Sequence, residues 1–382
     1  MTSDRTGERP RIGINAHLLT GSQGYRRAGI HNYITQLIRH MARVDSGYDF
    51  TIYCNTHRVL ADTGLDLVST RWPTQRPLGR IMWEQLAWPF SARRHRLDLL
   101  HSMAFVTPIA PPAPGVVTVY DLSFIHYPEL FPRLRRAYLA SQTRRSCRSA
   151  RRVIAISGSS RQDVHQLFDV PLERIDVVSP GVDPAYHPRS ANEVTAFRQK
   201  HELPDRYILH VGTLQPRKNI GLLIEAYADL ERDDIALVLI GGKGWFFDDI
   251  FERVRAMNLE HRILFPGYVP DADLPLWYNA AAVLTFPSYY EGFGIPILEA
   301  MASGTPVIAA MTSAIPEVTG DAALLFDPQD GSDLSEHLAA VLDEPKLAAK
   351  MRERGMSRVK RFSWQRAADE MIAVYRKALT ES

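Results

Sequence analysis

The 382-residue sequence holds only two cysteines, Cys54 and Cys147. Two thiols so far apart give neither a disulfide framework nor a thiolate cage for a metal, and they fit a reducing compartment. Excess charge is missing as well. The 45 Lys and Arg nearly balance the 43 Asp and Glu, and a net charge of +2 does not suit a dedicated nucleic-acid binder. No apolar run approaches the roughly 18 residues that a membrane span needs. The opening MTSDRTGERP is polar and lacks the apolar stretch of a secretory signal. These absences set the expectation of a cytoplasmic protein. The thirteen histidines show no zinc-ligand spacing, and there is no low-complexity tail or short repeat.

What the chain does have is alternation. Short apolar runs (RIGIN, FTIYC, LDLLH, VVTVY, RRVIAI and IDVVS, then RYILHVGT, ALVLIGG, RILFPG, AVLTFP and TPVIAA) are separated by helix-period segments such as AGIHNYITQLIRHMARV. Continuous Val, Ile and Leu runs suit parallel strands buried on both faces. Strand–helix alternation over this length predicts two doubly wound α/β sheets. The break is expected in Ser179–Glu193, rich in proline and polar residues, giving domains 1–185 and 186–362. Two such domains are expected to face each other across a cleft, with ligands at the carboxyl ends of the strands.

One segment concentrates chemistry at such an end: SYYEGFGIPILEAMASGTPVIAA, from Ser288 to Ala310. A strand stops at Pro287, a glycine loop follows, and Pro296 suits the first turn of a helix that Gly304 can cap. Glycine loops that open a helix present unpaired N–H groups and a positive dipole end, an anion site. Gly292 and Gly294 allow a ligand close to the backbone. Glu291 in the loop and Glu299 one turn into the helix are suited to sugar hydroxyls on either side of a diphosphate. Taken alone, they serve equally well as a turn residue and a dipole-favoured early-helix acid.

The residues EGFGIPILE are similar to the E-x7-E motif of retaining glycosyltransferases of the family 4 type, which have the GT-B fold. VGTLQPRKNIGLLIEAY (Val211–Tyr227), LIGGKGW (Leu239–Trp245), FPGYVPDADLPLWYNAA (Phe265–Ala281) and TVYDLSFIHYPELFP (Thr118–Pro132) extend the resemblance over most of the chain. It implies a C-terminal domain that holds a nucleotide diphosphate-sugar and an N-terminal domain that holds the acceptor. The last helix, within residues 363–382, is implied to cross back to the first domain. Arg217 and Lys218 match the basic pair on the diphosphate, where fixed cations favour the charged leaving group. Such a site works without a metal, and no cofactor is expected. Glu299 matches the ribose-binding acid, and Glu291 the acid on the donor sugar. Phe293 and Gly294 supply backbone contacts, and Gly267 and Val269 lie near the base. Gly29, in RAGIHNY, matches a glycine that approaches the diphosphate.

Two departures stand out. Thr213 replaces an additional arginine common in relatives, so the cationic clamp is smaller here or completed from elsewhere. Tyr120–Asp121 replaces a His–Asp pair. With a reference pKa near 10, a tyrosine is no base at neutral pH, which leaves Asp121 to orient or deprotonate the acceptor, or to serve as a turn residue. His101 and His126 are minor candidates. Asp271 and Asp273 imitate a metal motif of another glycosyltransferase architecture but suit a helix cap. The eight arginines of Arg133–Arg152 form a solvated face or, in the sharper reading, a contact with anionic membrane near a lipid-linked acceptor. The function implied is transfer of a hexosyl unit in cell-envelope glycan or glycolipid assembly, mannose from GDP-mannose favoured over a UDP-sugar. The same architecture also serves nucleotide-sugar epimerases, sugar phosphorylases and non-catalytic nucleotide-sugar-binding partners.

Overall fold

The computed structural model describes residues 8–19, 29–70, 72–74, 76–242 and 248–381. Arg27 and Ala28 of RAGIHNY and Lys243–Trp245 of LIGGKGW lie outside the described residues. The chain divides into two compact units, Met1–Pro180 with Trp364–Ser382, and Gly181–Ser363.

The first unit is built on seven strands: β1 (Arg11–Asn15), β2 (Asp49–Cys54), β3 (Asp66–Ser69), β4 (Leu99–Ser102), β5 (Gly115–Val119), β6 (Arg152–Ala155) and β7 (Ile175–Val177). They pair in the order β3-β2-β1-β4-β5-β6-β7, and every pairing is parallel. The second unit has β8 (Tyr207–Val211), β9 (Ala236–Ile240), β10 (Ile263–Gly267), β11 (Val283–Phe286), β12 (Val307–Ala310) and β13 (Leu324–Phe326). Their order is β10-β9-β8-β11-β12-β13, again all parallel. Central strands such as β4, β6, β11 and β12 are buried at every residue, which is why they appear in the sequence as largely apolar runs without polar–apolar alternation. The edge strands β3 and β13 were absent from the strand runs singled out above. Both are short and only partly covered: β3 carries polar residues at both ends, and β13 is only three residues long.

Each order reverses direction once, at β1/β4 in the first sheet and at β8/β11 in the second. A reversal splays the loops on its two sides apart, and the gap at the strand carboxyl ends is where open α/β sheets take ligands. The helix Trp364–Thr380 belongs to the first unit, where it packs on the helix Ile30–Met41. Its Tyr375 hydroxyl bonds His101 Nδ1 at 2.7 Å, and Lys377 pairs with Asp176 at 2.7 Å.

One helix of the first unit is irregular. Pro77–Met82 and Trp88–Arg94 are joined by a π-turn, Trp83–Ala87. A π-turn holds an extra residue, so Trp83 and Trp88, five apart, both point inward and stack with centroids 5.9 Å apart. Leu78, Met82, Leu86 and Phe90 are left on the outside, 77, 49, 61 and 69% exposed.

Candidate functional site

At the β8/β11 reversal two loops meet. After β8 the chain reaches a 3-10 turn, Pro216–Lys218, which ends at Asn219 in the left-handed region (φ 53°). After β11 it passes through Gly294 (φ 111°) into the helix Ile295–Ala302, with Pro296 in its first turn. Backbone bonds join the two loops: Tyr289 N–H donates to Arg217 C=O at 3.0 Å, and the Arg217 guanidinium donates to Tyr290 C=O.

This stitching puts Glu291 against both cations. Lys218 Nζ lies 2.5 Å from Glu291 Oε1, and Arg217 Nη1 lies 3.2 Å from Oε2. All three side chains are only 10–14% exposed, so water screens them little. Burial alone would raise Glu291, but the charges of Arg217 and Lys218 outweigh it and bring the carboxyl down to about 2. His210, beneath the cluster, is pushed down to about 4 by burial and by Lys218, and is neutral. The charges of Arg217, Lys218 and Glu291 sum to +1.

Glu299 lies in a different environment. It faces inward from the helix Ile295–Ala302 and accepts from the Tyr278 hydroxyl at 2.8 Å. Tyr186 stands beside it, edge-on to Tyr278 with ring centroids 5.8 Å apart. Burial pushes Glu299 up to about 7, opposed by the tyrosine hydroxyls and aided by Asp271 and Asp183. One carboxylate is thus held ionised, and the other titrates near neutrality. Neither tyrosine was singled out from the sequence: Tyr278 lies in an apolar helix pattern, and Tyr186 in the segment taken as the interdomain break.

Gly267 closes β10 with φ 74°, and a Cβ there would meet nothing within 4 Å. Its carbonyl accepts from Gly241 N–H at 2.9 Å. Val269 is buried close by. The Glu291 amide donates to Ser313 Oγ at 2.8 Å. Gly292 and Phe293 are buried, and the Phe293 ring packs edge-on to Phe362 at 5.7 Å.

Gly29 and Asp121 belong to the first unit. Gly29 starts the helix Ile30–Met41 with φ 61°, and no atom of the described residues lies within 4 Å of where a Cβ would stand. Asp121 accepts from Ser123 N–H at 2.9 Å, the Asx turn that opens Ser123–His126. Tyr120 donates to Met103 C=O at 2.7 Å and is fully enclosed, in keeping with its exclusion as a base. His101 is enclosed too, held between Tyr375 and Thr118 Oγ1, so it is a core residue rather than a catalytic one. His126 lies 3.4 Å from Asp163. The aspartate cap expected of Asp271–Asp273 is not formed. Asp273 precedes Leu274–Ala280 with helical backbone and no side-chain cap bond, because φ −91°, ψ −23° turns its carboxylate away from the free N–H groups. Asp271 accepts from Tyr268 instead.

Residues 27–186 match the profile of Glycosyltransferase Family 4, and residues 193–358 that of Glycosyl transferases group 1. The O-antigen chain mannosyltransferase B of Escherichia coli is 37% identical over 266 residues, 69% of this chain and 70% of that protein. This chain belongs to glycosyltransferase family 4. The serotype-specific mannosyltransferase WbdA of Escherichia coli is 29% identical over 60% of this glycosyltransferase, and the match spans 29% of WbdA's own length. Among solved structures, sucrose-phosphate synthase from Thermosynechococcus elongatus superposes with a TM-score of 0.77 at 22% identity, over 98% of this chain and 100% of that one. The fold of the glycosyltransferase is therefore GT-B.

Proposed function

We propose that this glycosyltransferase moves a hexosyl unit, mannose from GDP-mannose ahead of a UDP-sugar, from a nucleotide diphosphate-sugar to a hydroxyl of a glycan or glycolipid, with retention of anomeric configuration. The observation that carries the donor half is the Arg217–Lys218–Glu291 cluster at the β8/β11 reversal. The two cations take the diphosphate and offset the charge that develops as it leaves, with no need of a metal. Glu291 holds hydroxyls of the donor sugar, and Glu299 accepts from the ribose diol. Gly267, Val269, Gly292, Phe293 and Gly294 supply backbone contacts, and Gly29 adds one from the first unit. The acceptor hydroxyl, oriented by Asp121, bonds to the anomeric carbon as the bond to the phosphate oxygen breaks, and that departing oxygen takes the hydroxyl proton.

Mannose is favoured because the E. coli relatives are named as mannosyltransferases. A structural neighbour solved with UDP and glucose keeps the second donor class in the test. Thermal-shift measurement against GDP, UDP and their sugars decides the base, and a GDP preference is expected. NMR of the product decides the stereochemistry, and an inverted anomer refutes the mechanism.

The acceptor reading includes peripheral contact with an anionic membrane. Among the described residues no helix is long and apolar enough to cross one. The structure redistributes the arginines expected to make this contact. Arg144 and Arg148 pair with Asp169, and Arg145 donates to the carbonyls of Thr107 and Pro108. Arg151 donates to Ala378 C=O, and Arg152 pairs with Asp176 and Glu381. Arg133 and Arg135 remain exposed around Leu134, which is 88% exposed. The Leu78, Met82, Leu86 and Phe90 stripe is exposed in the same unit. Exposed basic residues and an exposed apolar stripe in one unit fit an acidic bilayer surface. Vesicles containing phosphatidylglycerol are expected to float the wild type but not the Leu86→Glu, Phe90→Glu double variant. Equal flotation on neutral phosphatidylcholine refutes the contact.

A further inference from the structure

The first sheet reverses at β1/β4 as the second does at β8/β11, and polar groups gather there too. Asn15 ends β1 and pairs in register with Ser102 at the end of β4. His17, two residues on, is held by three contacts. Its backbone N–H donates to Asn15 Oδ1 at 3.2 Å, and its carbonyl accepts from Asn55 at 2.6 Å. Its ring lies on Trp83, with centroids 3.7 Å apart.

These contacts settle the ring's tautomer. A backbone N–H always donates, so the Asn15 atom that it meets is the carbonyl oxygen. That same oxygen lies 3.1 Å from His17 Nδ1, so Nδ1 carries the proton and Nε2 presents a bare lone pair. Nε2 is buried and has no hydrogen-bond partner among the described residues, and the same is true of Ser102 Oγ. Buried polar atoms are normally satisfied, and leaving one without a partner is costly because its desolvation goes uncompensated. Two of them occur at the one point in this sheet where the topology favours a ligand. Glu84 from the π-turn stands beside Asn15 and Arg80. π-Turns recur at functional sites.

We propose that the β1/β4 reversal is the subsite for a pyranose ring of the acceptor, where His17 Nε2 accepts a hydrogen bond from one sugar hydroxyl and Ser102 and Glu84 serve its neighbours. The proposal rests on the glycosyl-transfer reading and gives its acceptor half specific residues. Burial pushes His17 down to about 3, so the ring stays neutral and positions the hydroxyl without removing its proton. An acceptor lone pair selects a ligand O–H, which a saccharide offers and a phosphate dianion does not.

The test uses the full chain with histidine labelled in 15N, and methyl α-D-mannopyranoside and methyl α-D-glucopyranoside as probes. The free protein is expected to show His17 as the Nδ1–H tautomer, and a pyranoside is expected to move the Nε2 resonance upfield. His17→Phe keeps a ring on Trp83 but removes the lone pair. It is expected to weaken pyranoside binding about tenfold while leaving the thermal shift given by GDP or UDP unchanged. Ser102→Ala, a smaller change less prone to misfolding, is expected to weaken pyranoside binding two- to threefold, on the order of half a kcal/mol per lost neutral bond. If neither pyranoside moves His17 Nε2, or if both variants bind pyranosides as the wild type does, the subsite assignment is wrong. Loss of GDP and UDP binding by the wild type would instead refute the transfer reading itself, which separates the two failures.

Discussion

Replacing Glu291 by glutamine removes one charge from a buried group of three while leaving its shape intact. A carboxyl brought from its ordinary 4.5 down to about 2 favours the ionised folded state by about 3 kcal/mol. That stability is fully present above pH 4.5 and disappears as pH falls towards 2, because only then does the folded carboxyl take up its proton. At neutral pH, Glu291→Gln should therefore be about 3 kcal/mol less stable. In a unit of this size that corresponds to roughly 6–12 °C in Tm. The variant also removes the carboxylate that Arg217 and Lys218 both pair with, and breaking a buried ion pair in this way costs about 3–5 kcal/mol. A diphosphate can take the place of the missing carboxylate. GDP or UDP should consequently raise the Tm of Glu291→Gln by more than it raises that of the wild type, even though turnover falls on the order of a hundredfold or more. Differential scanning fluorimetry of both proteins at pH 7.5 and low salt, with and without nucleotide, measures all of this but turnover. An unchanged Tm together with an equal nucleotide shift would show that the three groups are not coupled, and the electrostatic reasoning would fail.

Glu299→Gln should behave in the opposite way. The folded carboxyl is raised from 4.5 to about 7, so the stability tied to its neutral form is complete below pH 4.5 and is lost as pH rises through 7. Glutamine keeps an acceptor for Tyr278, so this variant should gain up to about 3 kcal/mol over the wild type at pH 8 and nothing at pH 4, while its nucleotide affinity drops. Melting curves across that pH range check it. Gly241→Ala should disrupt the second unit, because its Cβ would fall on the Gly212 carbonyl oxygen, a backbone atom that cannot yield. A loss of about 3 kcal/mol or more is expected, read as lower soluble yield and an earlier melt. Gly29→Ala meets no atom of the described residues within 4 Å, and its φ of 61° opposes the change. Its stability cost should stay near 1 kcal/mol in denaturant titration, and a larger one would point to an undescribed contact.

Much of the site could be seen before any fold was known. Glycine and proline placed the loop and helix around Glu291 and Glu299, and Pro216 with Arg217 and Lys218 marked a basic turn directly after a strand. What these residues do to one another could not be seen. Nothing local distinguishes Glu291, held near 2 by two cations, from Glu299, raised to about 7 by burial beside tyrosines. The arginines of residues 133–152 looked alike in sequence, yet five of the eight are engaged by an acid or a carbonyl elsewhere in the first unit. The outward stripe of Leu78, Met82, Leu86 and Phe90 follows from a π-turn that no local residue preference announces.

The sequence by itself determined that this is a parallel α/β protein, because strands covered on both faces must be written as continuous apolar runs. It also determined which residue types stand at the strand ends. Only the tertiary structure decided that β8 lies beside β11 and β1 beside β4. That adjacency sets Lys218 against Glu291 across 73 residues of chain and brings His17 and Ser102 to one edge. The physical reason is that strand order is chosen by how whole crossovers pack, a non-local competition, whereas apolar periodicity is a property of each segment alone.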